Sequence, residues 1–386
     1  VRSDLLIEAI FALLKQNLLT LFNLFRWLRR GKAHFKQQIA ERVDIDPTLL
    51  PYHGGFLEYL REEHAKGRRL ILATASNQKY AEAVALHLGI FDEVLASDEQ
   101  TNLSGTRKLA RLQEAFGENG FDYAGNAMVD VAIWRHAGEA VVVNPERRVH
   151  AAAERVVQVS AVFDDREAIL KPYLKALRPH QWVKNTLVFI PLILAHKFTD
   201  VALLAQIGVA FVAFSLCASG VYLLNDLLDL SADRQHRNKR NRPFASGSLS
   251  LVHGVMLIPT LLVGAFAIAL YLPIEFLGVL AIYYLTTLAY SLRLKRSPVV
   301  DVFALAGLYT LRLIAGAAAV TVTLSFWLLA FSMFLFLSLA LVKRYTEVLS
   351  LRNEGRTEVS GRGYLTVDLE TLAHFGTSSG YISVLV

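Results

Sequence analysis

The sequence predicts a multi-span all-α membrane domain, truncated after about six spans and preceded by a cytoplasmic α/β domain. Three observations carry that expectation. Val201 to Leu224 contains no Asp, Glu, Lys or Arg, and neither does Leu249 to Leu272. Residues 1–170 instead carry frequent charges and alternate between strand and helix patterns. The composition agrees, with 54% hydrophobic and only 19% charged residues, against about 25% charged in a soluble domain.

Each element follows from its pattern. Residues 3–45 read as amphipathic helix, interrupted by Lys15, Arg26, Arg29 and Arg30, and so as a soluble cap rather than a span. Arg69–Thr74 reads as a buried strand and Gln78–Leu88 as the helix after it, stopped by Gly89. Phe121–Gly125 and Ala140–Val143 read as strands with a helix at 128–137 between them. Such alternation implies a parallel sheet. Asp165–Leu177 reads as helical. The expected domains are 1–160 α/β, 161–177 linker helix and 178–386 membrane domain, carboxy-terminally incomplete.

A crossing needs about 20 apolar residues. Spans are expected near 183–197, 201–229, 249–271, 275–293, 299–320 and 324–345, with a seventh starting at about 380. The chain starts at Val1 without a signal-peptide pattern, and both ends read as cuts within a longer protein. Basic runs follow the second span (Asp233–Arg242), the fourth (Arg293–Arg296) and the sixth (Lys343, Arg344, Arg352, Arg356, Arg362). The opposite loops hold only Lys197. The positive-inside rule then puts the basic loops and the amino-terminal half in the cytoplasm, and the protein in the inner (cytoplasmic) membrane.

The net charge is +6. Its clustering beside apolar runs points to anionic lipid or a phosphorylated substrate, not to nucleic acid. The single cysteine, Cys217, excludes an intrachain disulfide framework.

The strongest chemical signal is Asn225-Asp226-x-x-Asp229-x-x-x-Asp233 at the cytoplasmic end of the second span. On one continuous helix, Asp226, Asp229 and Asp233 would share roughly a 60° arc. Three such carboxylates repel one another. A hard divalent cation relieves the repulsion, and oxygen ligands select Mg²⁺ or Ca²⁺. Lys239, Arg240 and Arg242 follow at once and suit phosphate oxygens. A second cluster holds Tyr290, Lys295 and Asp301, with Arg312 about three turns further along the fifth span. Intramembrane charges are costly and are functional candidates by default. Lys343 lies in a third cluster, and Lys184 follows Trp182 at the entrance of the first span.

With these residues in place, residues 171–386 resemble the UbiA superfamily of intramembrane prenyltransferases. That resemblance implies helices around a central cavity and two aspartate-rich motifs for Mg²⁺ and a diphosphate. Asn225–Asp233, followed by Arg242-Pro-Phe-Ala-Ser-Gly247, is similar to the first motif. In the second, Asp301 is followed four residues on by Leu305, where a second acid is usual. Arg178–Asn185, Tyr309–Ala317 and Leu341–Glu347 look like the decaprenyl-phosphate phosphoribosyltransferase branch. That branch moves 5-phosphoribose from phosphoribosyl pyrophosphate to a polyprenyl phosphate and releases pyrophosphate.

The resemblance implies catalytic Asp226, Asp229, Asp233 and Asp301, with metal on the first three. It implies substrate contacts from Lys184, Asn225, Lys239, Arg242, Tyr290, Lys295, Arg312 and Lys343. It implies Mg²⁺ as the cofactor, with Mn²⁺ as an expected substitute. The partners are the two substrates and the lipid bilayer, and a homo-oligomer is compatible with it. Two other readings stay open: prenyl transfer from a polyprenyl diphosphate to an aromatic or lipid acceptor, and a non-catalytic lipid-binding scaffold.

The amino-terminal half resembles the haloacid dehalogenase-like phosphatases. Thr74 matches the second motif, Lys108 the third, and Gly125-Asn126-x-x-x-Asp130 the fourth, with Asn126 where a metal-binding Asp is usual. Val1–Asp4 looks like the residues just after that family's Asp-x-Asp-Gly-Thr nucleophile motif, which this chain does not contain. As written, the domain is expected not to form an aspartyl-phosphate.

Overall fold

The computed structural model describes residues 1–17, 19–146, 148–166, 168, 170–353 and 363–386. Arg356 and Arg362 of the third basic run lie outside the described residues. Two compact units emerge. One comprises Val1–Lys175 with Asp226–Gly254, the other Ala176–Asn225 with Val255–Val386.

The first unit opens with three helices, α1 (Leu5–Gln16), α2 (Thr20–Leu28) and α3 (Lys32–Ala40), where the sequence suggested one amphipathic stretch. Asp4 starts α1 by accepting the Leu6 and Ile7 amides on its carboxylate. Helix α4 (Gly54–Ala65) leads to β1 (Ile71–Asn77) and α5 (Gln78–Leu88). Asn77 caps α5, and Gly89 closes it in the left-handed region at φ 64°. Then come β2 (Glu93–Ser97), α6 (Thr106–Phe116) and β3 (Tyr123–Gly125). A 3₁₀ turn at Met128–Asp130 and the short α7 (Val131–Trp134) occupy part of the expected helix at 128–137. Strand β4 (Glu139–Val143), α8 (Val149–Glu154), β5 (Gln158–Phe163) and α9 (Leu170–Leu177) follow.

All strand pairs are parallel, with β1 on β2 and, in a second sheet, β3-β4-β5. Parallel strands need a crossover connection between them, usually a helix, hence the α/β alternation. Ile133, Trp134, Ala140 and Val142 form the buried heart beside the three-stranded sheet.

The first expected span, 183–197, is not a membrane-length helix. Tight 3₁₀ turns run from Pro179 to Phe189 and pass into the five-residue α10 (Ile190–Leu194). Pro179 opens the 3₁₀ segment and Pro191 lies in the first turn of α10, where a missing amide donor would be unpaired anyway. Among the described residues, five helices are long and apolar enough to cross a membrane: α11 (Val201–Leu228), α13 (Leu251–Ala269), α14 (Ile274–Leu292), α15 (Val300–Ala319) and α16 (Phe326–Asn353). The short α12 (Leu230–Gln235) lies between α11 and α13, and α17 (Leu369–Leu385) begins well before the expected residue 380.

In the second unit, Ala210, Ala213, Ala265, Ala269, Ala315 and Ala319 are wholly buried among Phe214, Phe276 and Leu280. Lipid tails are as apolar as leucine, so helices associate through close packing, which small residues permit.

Candidate functional site

The aspartate motif is built around a helix break. Helix α11 ends at Leu228, and Asp229 adopts φ −103°, ψ 18° before α12 starts. The continuous arc expected from the spacing is therefore interrupted. The break brings Asp226 and Asp233, both buried, onto one guanidinium. Arg242 Nη1 donates to Asp226 Oδ1 at 3.1 Å and to Asp233 Oδ2 at 2.6 Å. Asp229 points elsewhere and accepts from Lys15 Nζ at 2.7 Å. Among the described residues, no three His, Cys, Asp or Glu side chains surround a common point.

The donors nonetheless suit a hard cation. Two buried carboxylates already share one positive group, and Asn225, one residue earlier on α11, holds a buried Oδ1 without a hydrogen-bond partner. Oxygen-only donors of this kind match Mg²⁺, which keeps waters and takes further ligands from phosphates. Lys239 opens a 3₁₀ turn, Lys239–Asn241, just ahead of Arg242.

Two residues that hold this motif escaped the sequence reading. Glu8 and Lys15 lie seven residues apart on α1, hence on one face. Glu8 binds Arg234 of α12 in a two-point, almost fully buried pair at 2.6 and 2.9 Å. Arg234 Nε also donates to the Ala245 carbonyl at 3.0 Å, tying together the two ends of the basic loop. Glu8 stands far from Arg234 in the chain, and no spacing rule reports such a pairing.

In the second unit, Asp301 is completely buried near the start of α15. It accepts from Arg344 Nε at 2.5 Å and from the Tyr364 hydroxyl at 2.5 Å. Arg344 also donates to Glu347 at 2.6 Å and to the Tyr290 hydroxyl at 3.2 Å. The Tyr364 hydroxyl in turn accepts the amide of Val299, a β-branched residue held at φ 68°. Asp301 is thus part of an interhelical lock, and Arg344 and Tyr364 are its unforeseen members. The Lys343-Arg-Tyr-Thr-Glu347 run contained the signal, but in Arg344 rather than in the exposed Lys343.

Arg312, also buried in α15, has neutral partners. It donates to Asn185 Oδ1 at 3.0 Å, to the Leu308 carbonyl at 2.5 Å and to the Tyr283 hydroxyl at 3.2 Å. Its guanidinium lies over Phe214, Tyr283 and Tyr309, with centroids 5.6, 5.2 and 5.1 Å away. The Trp182 indole donates to Ser219 Oγ at 2.9 Å. Lys184 is half-buried in the 3₁₀ segment, and Lys295 lies on a 3₁₀ turn after α14.

In the α/β unit, Thr74 on β1 lines a cleft of about 600 Å³ with Ser3, Asp4, Lys32, Lys36 and Asn102. Lys36 Nζ donates to the Ala75 carbonyl and to Asn102 Oδ1, and burial holds its pKa below the ordinary lysine value. The buried Asp130 accepts the Asn126 and Ala127 amides, both at 2.9 Å, and the Tyr123 hydroxyl. Lys108 donates to that same hydroxyl at 3.0 Å, and burial lowers its pKa too.

Comparison with known proteins gives these features relatives. The model of the UbiA prenyltransferase family matches residues 186–356, and that of haloacid dehalogenase-like hydrolases matches residues 10–135. An uncharacterized protein, y4nM of Sinorhizobium fredii, is 36% identical over 99% of this chain and 73% of its own length. The nodulation protein NoeC of Azorhizobium caulinodans is 38% identical over 55% of this chain and 69% of its own. A decaprenyl-phosphate phosphoribosyltransferase of Mycobacterium tuberculosis is 39% identical over 45% of this chain and 59% of its own length. The chain is a multi-pass membrane protein that belongs to the UbiA prenyltransferase family and carries an amino-terminal haloacid dehalogenase-like domain.

Proposed function

We propose that the protein transfers 5-phosphoribose from phosphoribosyl pyrophosphate to a polyprenyl phosphate. The observation that carries this reading is Arg312. A prenyl cation would call for bare aromatic faces, and here a guanidinium lies over Phe214, Tyr283 and Tyr309. A fixed positive charge repels a carbocation and attracts a phosphate. The missing acid at Leu305 and the similarity to phosphoribosyltransferases support the same donor.

Asp226 and Asp233 would hold Mg²⁺, with Asn225 as a further oxygen donor, and Asp229 would join them only on release from Lys15. When bound, the metal neutralises charge on the leaving pyrophosphate. In the first unit Lys239 and Arg242 suit pyrophosphate oxygens; in the second, Lys184, Lys295, Arg312 and Lys343 suit the phosphate of a sugar or of an acceptor lipid. An acceptor phosphate oxygen attacks C1 of the ribose, and the bond from C1 to pyrophosphate breaks. The attacking oxygen is already an anion, so no general base is needed. The side chains contribute by positioning and by stabilising charge.

The test supplies the chain, in vesicles, with labelled phosphoribosyl pyrophosphate and polyprenyl phosphate. Label should pass into the lipid fraction with stoichiometric pyrophosphate release. A protein that ignores this donor yet transfers a prenyl group to an aromatic acid would replace the proposal with prenyl transfer.

A further inference from the structure

Helix α2 presents two apolar faces, and only one is packed. Thr20, Leu24 and Trp27 are buried, and Leu24 and Trp27 join the core formed with α1 and α3. On the other side Leu19, Leu21, Phe22, Phe25 and Leu28 are 69%, 46%, 74%, 64% and 50% exposed. Single exposed apolar residues are ordinary, but five within ten residues form a patch that calls for a partner.

The charge around the patch indicates which partner. Between Glu8 and Glu41 the chain has no Asp or Glu and six Lys or Arg: Lys15, Arg26, Arg29, Arg30, Lys32 and Lys36. Arg26, Arg29, Arg30 and Lys32 are exposed on and just after α2. Large apolar side chains on one face with basic residues at its margin and end suit a helix lying in the interface of an anionic bilayer. The same polypeptide carries five membrane-length helices, so the helix acts on a membrane to which the chain is already tethered.

We infer that α2 is a membrane-docking helix, with Leu21, Phe22 and Phe25 set among lipid acyl chains and Arg26, Arg29 and Arg30 at anionic headgroups. The docking has a consequence for the α/β unit. Leu28, at the end of α2, and Lys32 and Lys36 of α3 line the cleft that holds Thr74. A helix lying in the interface would bring that cleft to the level at which a lipid-linked phosphate presents its headgroup. The inference stands apart from the transferase reading, since it requires only that the chain be in a membrane.

Spin labelling tests it on the whole chain. Cys217 is the only cysteine and is buried, so a label can be placed at Phe22→Cys or Phe25→Cys, with Arg111→Cys on α6 as the water-facing control. The chain is reconstituted in phosphatidylethanolamine vesicles with or without phosphatidylglycerol. Collisions are measured with oxygen, which concentrates in lipid, and with a water-soluble nickel chelate. Positions 22 and 25 should favour oxygen and position 111 the nickel chelate, with the lipid preference at 22 and 25 greater when phosphatidylglycerol is present. Nickel accessibility at 22 and 25 equal to that at 111 overturns the inference in favour of a water-exposed face. Protection from both reagents overturns it in favour of a protein partner, including a second copy. An oxygen preference unchanged by phosphatidylglycerol removes the assigned role of the basic residues.

Discussion

Two guanidinium groups in this chain hold carboxylates in different ways. Arg344 and Asp301 are 1% and 0% exposed, and all three nitrogens of Arg344 have acceptors. Arg242 is 28% exposed and shares one nitrogen between Asp226 and Asp233. The first arrangement cannot release its cation without leaving a buried charge. In the second, the cation is partly exposed, so solvent or a ligand can replace it. A carboxylate–guanidinium pair therefore says little by its presence; burial of the guanidinium decides whether the pair is a lock or an exchangeable site.

The largest expected effect tests the lock. Arg344→Ala leaves Asp301 charged and unpaired inside the second unit, which should cost about 3–5 kcal/mol. Denaturation in detergent measures it, and wild-type stability in the variant would erase the distinction drawn above. Next comes the exchangeable site. Asp226→Asn should reduce turnover by about 10²-fold or more while the melting profile stays close to wild type, and excess chelator should abolish activity. Full activity in chelator would sink the metal assignment.

Glu8 sharpens the comparison, because it locks Arg234 beside the exchangeable site. Glu8→Gln keeps one acceptor oxygen but loses the charge. It should weaken apparent Mg²⁺ affinity by about 10-fold, and the exchange Glu8→Arg with Arg234→Glu should recover part of it. Mn²⁺ binding followed by electron paramagnetic resonance reads this without any donor substrate; unchanged binding would reduce the pair to packing. Arg312 comes after it, as a buried guanidinium with only neutral partners. Arg312→Ala should lower kcat/KM for phosphoribosyl pyrophosphate by about 10-fold for each charged hydrogen bond lost. Arg312→Lys should not restore it, because a lysine lacks the planar fork. An unaffected kcat/KM would return Arg312 to a structural role.

What the sequence revealed of these sites depends on distance along the chain. Asp226, Asp233 and Arg242 fall within one short stretch, so their meeting is legible from spacing, although the break at Asp229 is not. The apolar runs foretold five crossings because length and absence of charge suffice for that. They failed at 183–197, where the chain forms 3₁₀ turns and a five-residue helix instead of a long one. The end of helix α5 was legible because Gly89 marks it chemically, and the structure adds Asn77 as its cap. Glu8 with Arg234, and Asp301 with Arg344 and Tyr364, join distant segments, and such pairings depend on the fold rather than on any local pattern.

The smallest effect concerns a cation whose two hydrogen-bond acceptors are neutral. Lys36 donates to a carbonyl and to an amide oxygen, both neutral, in the cleft beside Thr74. Burial lowers its pKa most; Asp4 raises it, and Lys32 and Lys108 lower it further. A lysine whose folded pKa lies below its unfolded value binds a proton less readily when folded. Its contribution to stability is therefore present above the unfolded pKa and is lost as pH falls through the folded one. The window lies between that lowered value and the ordinary 10.5. Lys36→Met removes this dependence. Wild type should gain stability relative to the variant as pH rises from 7 toward 10, measured as paired denaturation midpoints of the whole chain. The gain should be small, because Lys36 is only half-buried and its amine keeps both acceptors in either protonation state. A difference that stays flat with pH would mean that the amine is solvated well enough to titrate as a surface lysine, and that the cleft imposes no cost on its charge.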